Sequence, residues 1–141
     1  MLKDTTEIRV RFNEIDSMGI LWHGHYIKYF EDGRESFGRA YNLGYLDVYE
    51  DHGFTIPIVK VDCNYKKPVK YNDPVVLETT FVDTPAAKII FDYKLYHADN
   101  QEVYATGRSV QVFLNKQNQL QLTVPEFFQS WKAHWNVLSL K

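Results

Sequence analysis

The sequence predicts an α+β fold: a curled antiparallel β-sheet wrapped around one long central helix, with a short C-terminal helix. Three observations carry this. Apolar residues recur at helical spacing from about Gly24 to Leu43. Several later segments alternate apolar and polar residues, and an aromatic stripe follows Pro125. The order is strand, loop, long helix, four strands and a short helix, which suits layers packed around one core. With 141 residues and no repeat, low-complexity stretch or linker, residues 1–141 are expected to form a single domain.

Ile8, Val10 and Phe12 alternate with Arg9 and Arg11, which reads as a strand with one buried face. Asn13, Asp16, Ser17 and Gly19 give residues 13–22 the composition of a loop. In the long helix, Ile27, Phe30, Arg34, Phe37 and Tyr41 fall on one face. Gly33 and Gly38 lie inside it, and each costs roughly 1 kcal/mol relative to Ala. Close packing against the enclosing sheet is the expected compensation. Gly44 is the expected C-terminal stop.

Beyond the His52-Gly53 turn the chain reads mostly as strand. In 56–65, Val59, Val61, Cys63 and Tyr65 share a face, and Pro57 places the start of the run at a sheet edge. Pro68 and Pro74 punctuate the next loop. Val75, Leu77, Thr79 and Phe81 form one alternation, and Ile89, Phe91, Tyr93 and Leu95 another. Ala98-Asp99-Asn100 reads as a hairpin turn. Val103–Leu114 is the expected last strand, with a bulge or bend at Gly107. Thr123 and Glu126 have capping-box spacing, with Pro125 in the first helical turn. Phe127, Phe128, Trp131 and Trp135 then form a stripe expected to pack on the body or on a neighbouring subunit.

Net charge is −2, which argues against a nucleic-acid binder. The N-terminal residues lack the apolar core of a signal peptide, and no apolar run approaches the ~20 residues of a membrane span. Cys63 is the single cysteine, so an intrachain disulfide is excluded and a reducing cytoplasm is the expected setting. It is in phase with Val59 and Val61 and reads as a small core residue, since no cationic partner is evident. Ten Tyr and nine Phe exceed the needs of a small core. They point equally to a pocket or interface and to a tyrosine-rich sheet surface. One sheet of five strands leaves edges exposed, so pairing with a second copy is expected.

The segment RFNEIDSMGILWHGHYIKY, 11–29, is the richest in chemistry. It places Asp16 after the first strand, and His23-Gly24 seven residues later at the start of the helix. A carboxylate facing a helix N-terminus can attack a carbonyl: the acid acts as base or nucleophile, and free N–H groups polarise the oxygen. A plainer role for Asp16 is to cap its own loop in an Asx turn. For His23 the plainer role is packing of its ring, with only its amide taking part. No cysteine or second histidine pair lies at helical ligand spacing near His23 and His25, and Asp16 is a single carboxylate, so no metal ligands are assigned.

The blocks Glu14-Ile15-Asp16-Ser17-Met18-Gly19, Trp22-His23-Gly24-His25-Tyr26 and Tyr29-Phe30-Glu31 with Arg34 resemble the 4-hydroxybenzoyl-CoA thioesterase family, of hot-dog fold. They are most similar to its acyl-CoA thioester hydrolases associated with the Tol-Pal system. Tyr65-Lys66-Lys67-Pro68 with Asn72-Asp73, then Ala105-Thr106-Gly107 and Val112-Phe113, extend the resemblance over most of Arg9–Leu114. It implies hydrolysis of an acyl-CoA to a carboxylic acid and free CoA, without a cofactor. Asp16 takes the catalytic position, and the His23 amide polarises the thioester carbonyl. Gly24, Tyr26, Lys66, Lys67 and Lys88 are the implied substrate contacts. The family's sites lie between subunits, which implies a homodimer or a dimer of dimers.

Three positions depart from the family pattern. His25 replaces a frequent Asn, and Ser36, beside Glu35, replaces a helix Glu. The turn 84–88 carries Lys88 in place of several arginines, so CoA binding leans on Lys66, Lys67, Lys88 or Arg108. The alternatives are an acyl-ACP thioesterase and a non-catalytic acyl-CoA binding protein. A hot-dog hydratase fits less well, because that class spaces Asp and His five apart and the spacing here is seven.

Overall fold

The computed structural model describes residues 2–137. Its elements are β1 (Lys3–Ile8), α1 (His25–Tyr41), α2 (Tyr45–His52), β2 (Ile58–Tyr65), β3 (Val75–Val82), β4 (Lys88–His97), β5 (Val103–Val112) and α3 (Glu126–His134). A 3-10 turn, Phe12–Glu14, follows β1. The strands form one antiparallel sheet in the order β1-β3-β4-β5-β2, so β1 and β2 are its edges.

The helical periodicity of α1 becomes a buried face of Tyr26, Tyr29, Phe30, Gly33, Arg34, Phe37 and Gly38. The alternations in β3 and β4 supply the opposing wall: Leu77, Thr79, Phe81, Ile89, Phe91, Tyr93 and Leu95 are all buried. Phe30 stacks on Tyr93 with ring centroids 4.3 Å apart, and Phe37 meets Phe91 edge-on at 4.9 Å. A Cβ at Gly33 would overlap Thr79 Oγ1 and Leu77, so this glycine lets the helix sit close to the sheet. The Gly38 neighbour is instead the carbonyl of Leu43, in the loop that follows the helix. Most Phe and Tyr side chains are core, while Phe12, Tyr49, Tyr65 and Tyr71 are exposed. Phe128 and Trp131 pack α3 onto the body, and Trp131 and Trp135 each donate an indole N–H to the Tyr41 carbonyl (2.7 and 3.1 Å).

Several expectations are corrected. The first strand lies earlier than its apolar alternation suggested. Its partner β3 begins at Val75, directly after Pro74, so the ladder ends at the Ile8–Val75 pair and Phe12 is left 77% exposed. Helix α1 stops at Asn42, in the left-handed region at φ 58°, and Gly44 instead caps the start of an unforeseen helix, α2. Strand β5 ends at Val112, and Leu114 makes only isolated bridges. The register irregularity in the β4–β5 pairing falls at Leu95/Tyr96; Gly107 pairs regularly with Tyr93 and Cys63. Thr123 makes no cap, and α3 starts from Pro125, whose carbonyl accepts from Phe128 and Gln129. Cys63 is half-buried against the core, and burial pushes its thiol above the ordinary range.

Gly107 marks close approach rather than bending: a Cβ there would lie 2.5 Å from both the Asp62 carbonyl oxygen and the Phe30 ring. Gly107→Ala is expected to destabilise the fold by about 1–3 kcal/mol through overpacking. Urea unfolding measures this, and an unchanged midpoint would mean that the Phe30 ring can move aside.

Candidate active site

Asp16 opens a tight turn. Its Oδ1 accepts the Met18 N–H (2.8 Å), its carbonyl accepts the Gly19 N–H (3.0 Å), and its own N–H donates to Ile20 O (2.9 Å). Gly19, at φ +79°, supplies the left-handed residue that reverses the chain. The Asx turn is therefore real, yet it uses a single carboxylate oxygen. Oδ2 has no hydrogen-bond partner among the described residues. The capping reading and the chemical reading of Asp16 are thus compatible.

The turn is tied to its surroundings. Ile15 bridges to Leu21 and Ile20 to Lys70, and Leu21 N–H donates to Val69 O (2.8 Å). Trp22 N–H donates to Glu14 O (3.0 Å), and His25 N–H to Trp22 O (3.0 Å). Among the described residues, the N–H groups of His23 and Gly24 have no partner in the protein. They immediately precede α1, where the helix dipole adds partial positive charge. The Tyr65 hydroxyl, on β2, donates to the His23 carbonyl (2.7 Å) and braces this turn. Gly24 has a steric reason too, since a Cβ there would overlap the Trp22 ring.

Asp16, Met18, Ile20, Leu21, His23, Tyr26, Tyr65, Lys66, Lys67 and Pro68 line one cleft of about 280 Å³. The structure thus brings Asp16, His23, Tyr26, Lys66 and Lys67 together, with Gly24 next in the chain. Lys66 makes no ion pair among the described residues, whereas Lys67 is bonded to Glu102 (2.7 Å). Lys88 lies elsewhere, at the start of β4, and Arg108 is held by Asp92 through two hydrogen bonds (2.6 and 3.0 Å). Glu35 lines a different, charged groove of about 470 Å³ with Arg9, Arg11 and Arg39. His25 packs edge-on against Trp22.

A larger cavity, about 760 Å³, lies between α2 and α3. It adjoins the C-terminal end of α1, which at 17 residues spans roughly 25 Å. The smaller cleft is the better candidate, because Asp16, with one free carboxylate oxygen, and His23, with an N–H unpaired among the described residues, line one space at the head of α1.

Sequence reasoning missed two residues. Tyr65 was read as part of a strand face, not as a brace for the turn. Glu14 was read as a motif position, yet it is 4% exposed and deeply bonded. Its Oε1 accepts Arg11 N–H (2.8 Å) and the Tyr29 hydroxyl (2.7 Å), and Oε2 accepts Lys28 Nζ. Burial opposes its charge, but these donors and the Lys28 charge hold the carboxyl below its ordinary value. Burial and the Glu14 bond push the Tyr29 hydroxyl upward.

The family described as "Thioesterase-like superfamily" matches residues 10–132. A Bacillus subtilis (strain 168) protein named "Putative acyl-CoA thioesterase YneP" is 30% identical over 125 residues, 89% of each chain. A DHNA-CoA thioesterase structure from Staphylococcus aureus superposes with a TM-score of 0.83 at 24% identity, over 96% of this chain and 90% of that one. The structure of Slr0204, a 1,4-dihydroxy-2-naphthoyl-CoA thioesterase from Synechocystis, gives 0.83 at 16% identity, over 95% and 98%.

Because the fold holds Glu14 charged, protonation costs stability. Glu14→Gln is expected to lower the unfolding free energy by about 1–3 kcal/mol at neutral pH. That difference should shrink as pH falls below the ordinary value of 4.5 and through the depressed native one. Urea unfolding at a series of pH values measures it; a deficit constant down to pH 3 would contradict the assignment.

Proposed function

The chain belongs to the thioesterase-like superfamily, and from that premise we propose that it hydrolyses an acyl-CoA at the cleft holding Asp16 and His23. The sheet wrapped around α1 is the hot-dog fold, and thioester hydrolysis is the activity class of the named relatives. Within the family, the Glu14–Gly19 and Trp22–Tyr26 blocks favour kinship with the Tol-Pal-associated acyl-CoA hydrolases.

The observation that carries the proposal is the pairing, in one cleft, of a carboxylate with one free oxygen and the His23 N–H, unpaired among the described residues, with the equally unpaired Gly24 N–H next in the chain before a helix. With Asp16 as general base, it takes a proton from water as the water oxygen attacks the thioester carbon. The His23 and Gly24 N–H groups receive the developing oxyanion. Collapse breaks the C–S bond, and the proton passes from Asp16 to the CoA sulfur. With Asp16 as nucleophile, its free oxygen forms a mixed anhydride, CoA leaves as the thiolate, and water then splits the anhydride. Neither route needs a cofactor. Lys66, free of ion pairs, is the best placed cation for a CoA phosphate, where it acts as a point charge.

The working unit we propose is a homodimer, alone or doubled, in the cytoplasm. Strand β2 is an edge whose outer ladder is unpaired, and it exposes Ile58, Val59 and Tyr65. A cleft of about 280 Å³ is also small for an acyl-CoA, which suits a site completed by a neighbour.

Asp16→Asn keeps the acceptor oxygen of the Asx turn and removes the base. It is expected to cut kcat for acyl-CoA hydrolysis about 10²- to 10⁴-fold with little change in KM, read as release of the CoA thiol. Retained turnover would remove Asp16 from the mechanism. Running the same assay with acyl-CoA and acyl-ACP assigns the carrier. Light scattering should give twice or four times the 16.6 kDa chain mass, and a monomer at micromolar concentration would refute the shared site.

A further inference from the structure

The two halves of the cleft lie on different segments: Asp16 on the loop after β1, the His23 and Gly24 amides at the head of α1. Glu14 touches every part of this junction. Its side chain takes the N–H of Arg11, where the loop begins, and its carbonyl takes the N–H of Trp22, where the loop ends. The same carboxylate accepts the Tyr29 hydroxyl and the Lys28 ammonium, both from the first turns of α1. It is two residues from Asp16 and almost completely buried, so these bonds are sheltered from competing water.

We infer that Glu14 is a positioning residue: its carboxylate ties the start of the 11–22 loop, at Arg11, to the first turns of α1, while its backbone carbonyl holds the Trp22 end, and together they set Asp16 against the His23 and Gly24 amides. The inference rests on the reading of Asp16 as base or nucleophile. It adds that the orientation of Asp16 is not a property of its Asx turn alone. The charge matters as well as the shape. Glutamine can still accept from Arg11 and Tyr29, but it offers the Lys28 ammonium no anion. Aspartate is one methylene short of spanning the same donors.

Hydrogen exchange on the full chain tests the clamp whether or not the protein turns over substrate. In Glu14→Gln, amides of residues 15–24 should exchange about tenfold faster, while those of β4 and β5 keep their wild-type rates. Equal acceleration in β4 and β5, or no change at 15–24, overturns the clamp. Kinetics then test its link to the chemistry. Glu14→Gln should lower kcat by about tenfold with KM within about twofold, as a misplaced reacting group does. Added to Asp16→Asn, it should cost nothing further, because it acts through Asp16. A full additional loss in that background overturns the positioning role. Should Glu14→Gln fail to fold, Tyr29→Phe removes one of the three donors to the carboxylate and carries the same two measurements. If the wild-type chain hydrolyses no acyl-CoA, the hydrolase reading fails, and the exchange pattern still decides the clamp.

Discussion

The close seating of α1 in the sheet is the constraint on which the rest depends. Phe30 lies flat on Tyr93 and over Gly107, and Gly33 meets Leu77 and Thr79 without a side chain between them. Either glycine with a Cβ would push the helix outward. Aromatic rings fill the space on both sides of this contact, so a shift would open voids that the rigid interior closes poorly. Seated this way, the helix has one allowed height, and its N-terminal end is delivered to one place. The geometry of the candidate site begins with a packing fact about the middle of the helix.

At that end, polar groups take over from apolar ones. Glu14 joins the loop to α1, Tyr65 joins the turn at His23 to β2, and Leu21 joins the loop to Val69. Each bond comes from a different part of the chain, so the cleft is held from three sides. Two backbone donors in this dense network have no partner in the protein.

Much of this was legible in the sequence, and the failures have physical causes. The α1 face and the alternations of β3 and β4 were readable because each buries one face fully, which leaves a periodic trace. That Asp16 and His23 would lie close together was readable because the segment joining them is short. Strand β1, with the sequence KDTTEI, has no apolar residue before Ile8; its extension comes from pairing with β3, seventy residues away. Helix α2 buries only Val48, too little for a period to show in eight residues. Glu14 looks like a surface charge until Lys28 and Tyr29 come round the helix to meet it. The Lys67–Glu102 pair and the Tyr65 brace likewise join residues far apart in sequence.

The Asx turn at Asp16 has a consequence for selectivity of side chain. One oxygen is anchored to the Met18 amide, which favours one orientation of the carboxylate and leaves the other oxygen to face whatever enters. Part of the rotamer freedom that a longer acid would keep is given up on folding. A glutamate at this position would carry the same charge on a looser tether and leave the Met18 amide unbonded, which makes the site a matter of arm length as much as of acidity.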